Sequence, residues 1–156
     1  EYHHDLDYLI SMLDWDANVN PEFAKSNKVF PIPVKPVAEM DAAGYRELWI
    51  TYGTPHYSAK ELTVLPGRRV VIGDSEAYGA LVSQGHGMFG KHPVSAPTMI
   101  RFGEMTEDEV FVTARRAAEG VTFENTGSEP LVGLRYFGPD ASPDAPSVGD
   151  YRKKNK

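Results

Sequence analysis

From Arg46 to Tyr136 the chain consists of short runs rich in Val, Ile, Thr, Tyr, Phe and Trp, with glycine and proline between them. This texture is typical of an all-β sandwich or barrel. It does not alternate with helical segments, which argues against a doubly wound nucleotide-binding fold. We predict strands at Glu47–Tyr52, Tyr57–Leu65, Arg69–Ile72, Ala77–Ser83, Gly87–Phe89, Thr98–Phe102, Glu109–Thr113, Val121–Glu124 and Leu131–Tyr136.

Glycine and proline also predict where the turns lie. The predicted turns are Pro66–Gly67, Gly73–Ser75, Gln84–Gly87 and Asn125–Gly127. His86 is therefore expected in a hairpin turn. His92, which stands between Lys91 and Pro93, is expected in a loop.

The N-terminal segment has a helical pattern instead. Leu6, Leu9, Ile10 and Leu13 recur at the spacing of one apolar helix face. A shorter helix is predicted after Asn20 and Pro21, and prolines 31, 33 and 36 then favour an extended connector. We predict residues 1–36 to be a helical cap and proline connector, residues 37–139 an antiparallel β-barrel, and residues 140–156 a flexible C-terminal tail.

Composition narrows the classes of function. The chain has no cysteine, so it has no disulfide and no thiolate metal site, and a reducing, cytoplasmic setting is expected. Its 22 acids against 16 bases give a net charge of −6, which disfavours nucleic-acid binding. No apolar run approaches the ~20 residues of a membrane helix, so no membrane association is expected.

Three stretches in order resemble the cupin superfamily. They run from Leu62 to Gly67, from Leu81 to Gly87 and from Val121 to Leu131. The helical segment, the proline connector and the ending at Pro139 are similar to the C-terminal, ligand-poor cupin region of class I mannose-6-phosphate isomerases and related proteins. The resemblance implies that this region is a jelly-roll barrel. It also implies that the metal and the catalytic groups lie on a preceding cupin domain and not on this barrel.

The resemblance also implies which positions would bind a metal. Counting back from Gly85 places Val71 and Gly73 at the two histidine positions of the first cupin motif and Tyr78 at its glutamate position. Val121 stands at the histidine position of the second motif. These side chains are poor ligands for a divalent ion. No cofactor is therefore expected.

Two other hypotheses stay open. The chain could be a self-contained metal-dependent enzyme that binds zinc, manganese or iron through a non-standard set, His56, Glu61, His86 and His92. It could instead be a binding module that holds a sugar or another small polar ligand at a barrel mouth lined by His56, Tyr78, His86 and His92. The hypothesis that the resemblance favours is an accessory, non-catalytic cupin domain, part of a larger protein similar to sugar-phosphate isomerases. Its partner would then be an upstream cupin domain of the same polypeptide. A homodimer through edge strands is also expected.

Overall fold

A computed structural model of the chain describes residues 5–99, 101–139 and 143–147. The chain divides into two compact units, Glu1–Phe30 and Pro31–Lys156. We call them the helical unit and the β unit. Most of the predicted tail, residues 140–156, lies outside the described residues.

The helical unit contains three short helices, α1 Leu6–Ser11, α2 Trp15–Asn18 and α3 Phe23–Asn27. The Asp5 carboxylate caps α1 by accepting hydrogen bonds from the backbone N–H groups of Asp7 and Tyr8 at 3.0 and 3.2 Å. The predicted apolar stripe exists only in part as a helix face, because α1 ends at Ser11. Its residues are exposed. The proposed role of this segment as a cap stays a prediction.

The β unit contains nine strands and two helices within the described residues. In chain order they are β1 Ile32–Pro33, α4 Val37–Ala43, β2 Tyr45–Thr51, β3 Ser58–Val64, β4 Arg69–Ile72, β5 Tyr78–Phe89, β6 His92–Ala96, β7 Glu109–Val112, α5 Ala114–Glu119, β8 Val121–Asn125 and β9 Leu131–Phe137. None of the helices among the described residues has the length and apolarity that crossing a membrane requires.

All strand pairs are antiparallel, and they form one curled sheet with two halves. The first half has the order β1-β2-β3-β9-β5-β7, and the second has the order β4-β8-β5-β6. The prediction of an all-β antiparallel architecture is confirmed. The hydrogen-bonded path from β1 to β4 is open, so the unit is a curled sheet around a core rather than a fully hydrogen-bonded barrel.

The long strand β5 belongs to both halves of the sheet. Its first part pairs with β9 and β7, and its last part pairs with β6 and β8. A register shift lies between Val82 and Gln84, and Gly85 has φ +80°. A Cβ at Gly85 would also stand 2.6 Å from the Pro130 carbonyl oxygen. Glycine therefore allows the strand to bend from one half into the other.

This bend corrects the predicted turn at Gln84–Gly87. Those residues, with His86 among them, continue a single strand. Glycine-rich sequence marks both a turn and a bent strand, and the pattern alone does not separate them.

Further predictions of local structure were wrong between residues 92 and 119. His92 begins β6 instead of lying in a loop. The predicted strand Thr98–Phe102 contains no strand residue in its described part. Helix α5 was not predicted. Thr113 caps it, and its six residues include three alanines, which favour helix.

One hydrophobic cluster joins the two halves of the sheet. It includes Leu62 and Val64 on β3, Tyr78 on β5, and Phe123 on β8. The Asn125 amide is buried at the edge of this cluster and donates to the carbonyls of Val64 and Glu129 at 2.8 and 2.7 Å. Asn125 Oδ1 also accepts from the backbone N–H of Gly127 at 2.9 Å, so the amide is paired at both ends and has a structural role.

Candidate functional site

The structure places the predicted site residues on different elements of the β unit and in different degrees of burial. His56 is exposed in the segment between β2 and β3. His86 is exposed on β5, and its ring packs over Gly127, where a Cβ would stand 2.8 Å from the histidine Cε1. His92 is exposed at the start of β6, whereas Tyr78 is only 1% exposed and lies in the core. Tyr78 therefore does not line an open barrel mouth.

The four residues of the alternative metal set do not converge. His86 pairs with Ser95 and His92 pairs with Phe89, so the two histidines are three positions apart in the β5–β6 ladder and point to opposite faces. Within residues 5–99, 101–139 and 143–147, no three His, Asp or Glu side chains come together in a group that could hold a metal ion. His86 and His92 therefore do not form a metal-ligand set with His56 and Glu61.

The motif positions taken from the cupin resemblance are only partly inside the fold. Tyr78 and Val121 are buried, as expected for positions that face the interior. Val71 is 66% exposed, because β4 alternates between exposed and buried residues and Val71 falls on the outer face. The register that placed Val71 at an interior histidine position was wrong.

Four charged side chains meet inside the β unit instead. Glu47 lies on β2, Lys60 on β3, Asp74 two residues after β4, and Arg135 on β9. They are 3%, 7%, 9% and 0% exposed, respectively. Charged residues are almost never buried to this degree unless they are paired. We call these four residues the buried charge network.

Each base of the buried charge network contacts both acids. The Lys60 Nζ lies 2.6 Å from Asp74 Oδ1 and 3.6 Å from Glu47 Oε1. The Arg135 guanidinium donates from Nη1 to Asp74 Oδ2 and from Nη2 to Glu47 Oε1. Two positive charges therefore balance two negative charges in the interior.

Aromatic rings surround the cations. The Lys60 Nζ lies 4.5 Å from the centroid of the Trp49 ring and 5.3 Å from that of Phe137. The guanidinium carbon of Arg135 lies 5.6 Å from the centroid of Tyr78. The negative faces of such rings attract a cation, which offsets part of the cost of removing it from water.

The Tyr78 hydroxyl is a buried polar atom that forms no hydrogen bond with the buried charge network. It has no hydrogen-bond partner among the described residues, and neither does the Nε of Arg135. Burial raises the pKa of Tyr78 to about 12, while the positive charge of Arg135 opposes the rise. The phenol is thus neutral at physiological pH.

An open cleft of about 600 Å³ borders one side of the network. Trp49, Lys60 and Asp74 form part of its wall, next to Lys35 and Ser75. We call it the network cleft. Its lining, as far as the described residues go, is Val34, Lys35, Trp49, Lys60, Gly73, Asp74, Ser75, Ala118 and Asp144.

Comparisons with known proteins give structural neighbours only. No protein-family profile matches the chain, and no curated protein matches it. The chain is similar to Rhodobacter sphaeroides SigE in complex with the anti-sigma ChrR, with 14% identity, coverage of 87% of this chain and 67% of that chain, and a TM-score of 0.49. A cupin-2 domain protein of Rhodospirillum rubrum has 16% identity, coverage of 80% of each chain and a TM-score of 0.47.

A third neighbour is a sugar phosphate isomerase of the cupin superfamily from Silicibacter pomeroyi. It has 18% identity, coverage of 71% of each chain and a TM-score of 0.46. At these identities and TM-scores the likenesses assign no activity to this chain.

The buried charge network does not suit a divalent metal. Its two carboxylates would be acceptable oxygen ligands. An ion placed between them would, however, meet the Lys60 ammonium and the Arg135 guanidinium, which carry positive charge and have no lone pair to donate. The side chains of Lys60 and Arg135 therefore occupy the space beside the two carboxylates that a metal ion would need.

Sequence reasoning missed the buried charge network, although one signal for it exists. Glu47 stands between Tyr45 and Trp49 in the inward phase of β2, and Arg135 shares the inward phase of β9 with Phe137. A charged residue in the apolar phase of an alternating strand indicates a buried ion pair, since it would otherwise have no partner.

Proposed function

We propose that the β unit is a cupin-type domain with an accessory, non-catalytic role. The buried charge network carries this proposal. Its acids and bases neutralise one another in the interior, so none of the four is left as an unpaired acid, base or nucleophile. A network of this kind holds strands in place, and the surfaces of the domain remain for partners and ligands.

The partners we propose are an upstream cupin domain of the same polypeptide and a second copy of the chain. Strands β1, β4, β6 and β7 each pair on one side only among the described residues. Edge strands of this kind offer unpaired backbone groups to another chain. Light scattering coupled to size-exclusion chromatography distinguishes a dimer from a monomer.

Metal content and activity test the accessory role together. The chain, purified without an affinity tag, is incubated separately with zinc, manganese and ferrous ions, desalted and subjected to elemental analysis. We expect well below one metal ion per chain and no turnover of mannose 6-phosphate by the chain alone. A metal ion at one per chain that is lost in His56→Ala or His86→Ala would establish the metal-enzyme alternative instead.

A second candidate function is binding of a small polar ligand in the network cleft. The observation that favours it is the wall of this cleft, where an aromatic ring, two lysines and two acids adjoin one open space. Sugars are bound by such combinations of ring faces and polar groups. The sequence analysis assigned this role to His56, Tyr78, His86 and His92, none of which lines the network cleft.

A thermal-shift screen tests this second candidate. Mannose, glucose and mannose 6-phosphate are added to the full chain, and a ligand that binds only the folded state raises the melting temperature. We expect a rise that Lys35→Gln abolishes and that Lys25→Gln, in the helical unit, leaves unchanged. No rise with any sugar, or an equal loss in both variants, would reject the network cleft as a sugar site.

A further inference from the structure

A second cleft of the β unit is basic, although the chain as a whole is acidic. It has a volume of about 660 Å³ and is bordered by β7, the β5–β6 hairpin, β8 and the start of α5. Arg69, Lys91, His92 and Arg116 lie in its wall, and none of its described lining residues is Asp or Glu. We call it the basic cleft. A cleft lined by one sign of charge concentrates counter-ions, here against a net charge of −6.

Two cations of the basic cleft have no acidic partner among the described residues. Arg69 and Lys91 form no ion pair within the part of the chain that the structure describes. Glu124 stands opposite Arg69 in the β4–β8 register but forms no ion pair with it. The bases of the β unit that do pair with an acid are Lys35, Arg46, Lys60, Arg101, Arg115, Arg116 and Arg135.

The β5–β6 hairpin fixes the position of Lys91. Phe89 pairs with His92, so Gly90 and Lys91 form a two-residue turn. Gly90 has φ +63°, a conformation that such turns require and that glycine adopts without strain. The backbone of Lys91 and His92 is therefore in place before a ligand arrives, which lowers the entropy cost of binding.

Part of the lining of the basic cleft is apolar. It includes Phe111, which is 71% exposed, together with Val110 and Val121. A large exposed ring in the same cleft as cations that form no ion pair with a described residue suits a ligand that carries an apolar group beside its anionic group.

We infer that the basic cleft binds a small organic phosphate. Arginine and lysine side chains are the protein groups that recognise phosphate oxygens through charge-assisted hydrogen bonds. Arg69 and Lys91 would bind the phosphate, and Phe111 would contact the organic part. This inference does not depend on the accessory role of the domain or on sugar binding in the network cleft.

Calorimetric titration of the full chain with phenyl phosphate tests the inference. Inorganic phosphate lacks the apolar group and benzyl alcohol lacks the charge, so we expect both to bind more weakly than phenyl phosphate. Arg69→Gln and Lys91→Gln should each weaken binding about tenfold, because each removes a charged hydrogen-bond donor. Raising the salt concentration should weaken binding as well.

Arg115→Gln is the matched control. Arg115 precedes Arg116 on α5 and is highly exposed, and its removal changes the net charge equally without altering the lining of the basic cleft. We expect this variant to bind phenyl phosphate as the unchanged chain does. The inference fails if phenyl phosphate does not saturate the protein, or if benzyl alcohol binds as tightly as phenyl phosphate. It also fails if Arg115→Gln weakens the binding of phenyl phosphate as much as Arg69→Gln does.

Discussion

The buried charge network and the basic cleft use the same kinds of side chain in opposite ways. In the network, Lys60 and Arg135 are buried and each contacts two acids. In the basic cleft, Arg69 and Lys91 are exposed and have no ion pair within the described residues. A buried charge needs a partner from its own chain, whereas an exposed one can remain available to a ligand. The position of a charge in the fold thus decides whether it stabilises the domain or binds something else.

The largest effect is expected from Arg135→Met. It leaves two buried carboxylates with Lys60 as their single counter-charge, and breaking a buried pair in this way costs about 3–5 kcal/mol of unfolding free energy. Urea denaturation measures the change.

Arg46→Met is the control for this substitution. Arg46 pairs with Asp41 through Nε and Oδ1 at 2.7 Å, but both side chains are about half exposed. Water already solvates these charges, so Arg46→Met should lower the unfolding free energy much less than Arg135→Met does. Equal losses in the two variants would show that burial does not distinguish the two pairs.

The next effect concerns the coupling between Lys60 and Asp74. We expect a double-mutant cycle of Lys60→Met and Asp74→Asn to give a coupling energy of about 1–3 kcal/mol, since the two residues are in direct contact in one network. Additive losses in unfolding free energy would mean that the two side chains act independently, contrary to their 2.6 Å contact.

A smaller effect is expected from Tyr78→Phe. The hydroxyl has no hydrogen-bond partner in the part of the chain that the structure describes, so its removal should change the unfolding free energy at pH 7 by no more than about 1 kcal/mol, with stabilisation the expected direction. A loss above about 2 kcal/mol would indicate a hydrogen bond to this hydroxyl.

The same variant has a predicted pH dependence. The folded state holds the phenolic proton up to a pKa of about 12, and the unfolded state releases it near the ordinary value of 10. Between these values the unfolded chain binds fewer protons, so stability falls as pH rises, by about 1.4 kcal/mol per pH unit. Denaturation across this range should show a less steep fall for Tyr78→Phe than for the unchanged chain.

The smallest effect on stability is expected from Arg69→Gln. An exposed, unpaired side chain contributes little to folding, so the unfolding free energy should change by no more than about 0.5 kcal/mol. A larger loss would mean that Arg69 is part of the structural framework, which would remove the contrast with Arg135.

The sequence predicted the strands well where apolar and polar residues alternate. Strand β4 was predicted with its observed bounds, and β3 and β9 were predicted to within one residue at each end. The prediction failed where one local pattern allows two conformations. At Gly85 a glycine with positive φ bends a strand instead of ending it, and only the pairing partners of β5 distinguish the two.

The buried charge network was beyond prediction for a different reason. Asp74 is 14 residues from Lys60 and 61 from Arg135, and Glu47 is 88 residues from Arg135. Strand phase indicates which charges point inward, but only the antiparallel order of β2, β3 and β9 brings them to one place. The contacts of a buried pair therefore depend on topology, which the local pattern does not contain.

A crystal structure of the chain incubated with zinc, manganese and ferrous ions, with anomalous diffraction at each absorption edge, distinguishes the buried charge network from a metal site. We expect no anomalous density among the strands, with the Arg135 side chain between the carboxylates of Glu47 and Asp74. Anomalous density for an ion coordinated by three side chains in the interior, with Arg135 displaced, would show that these residues form a metal site instead.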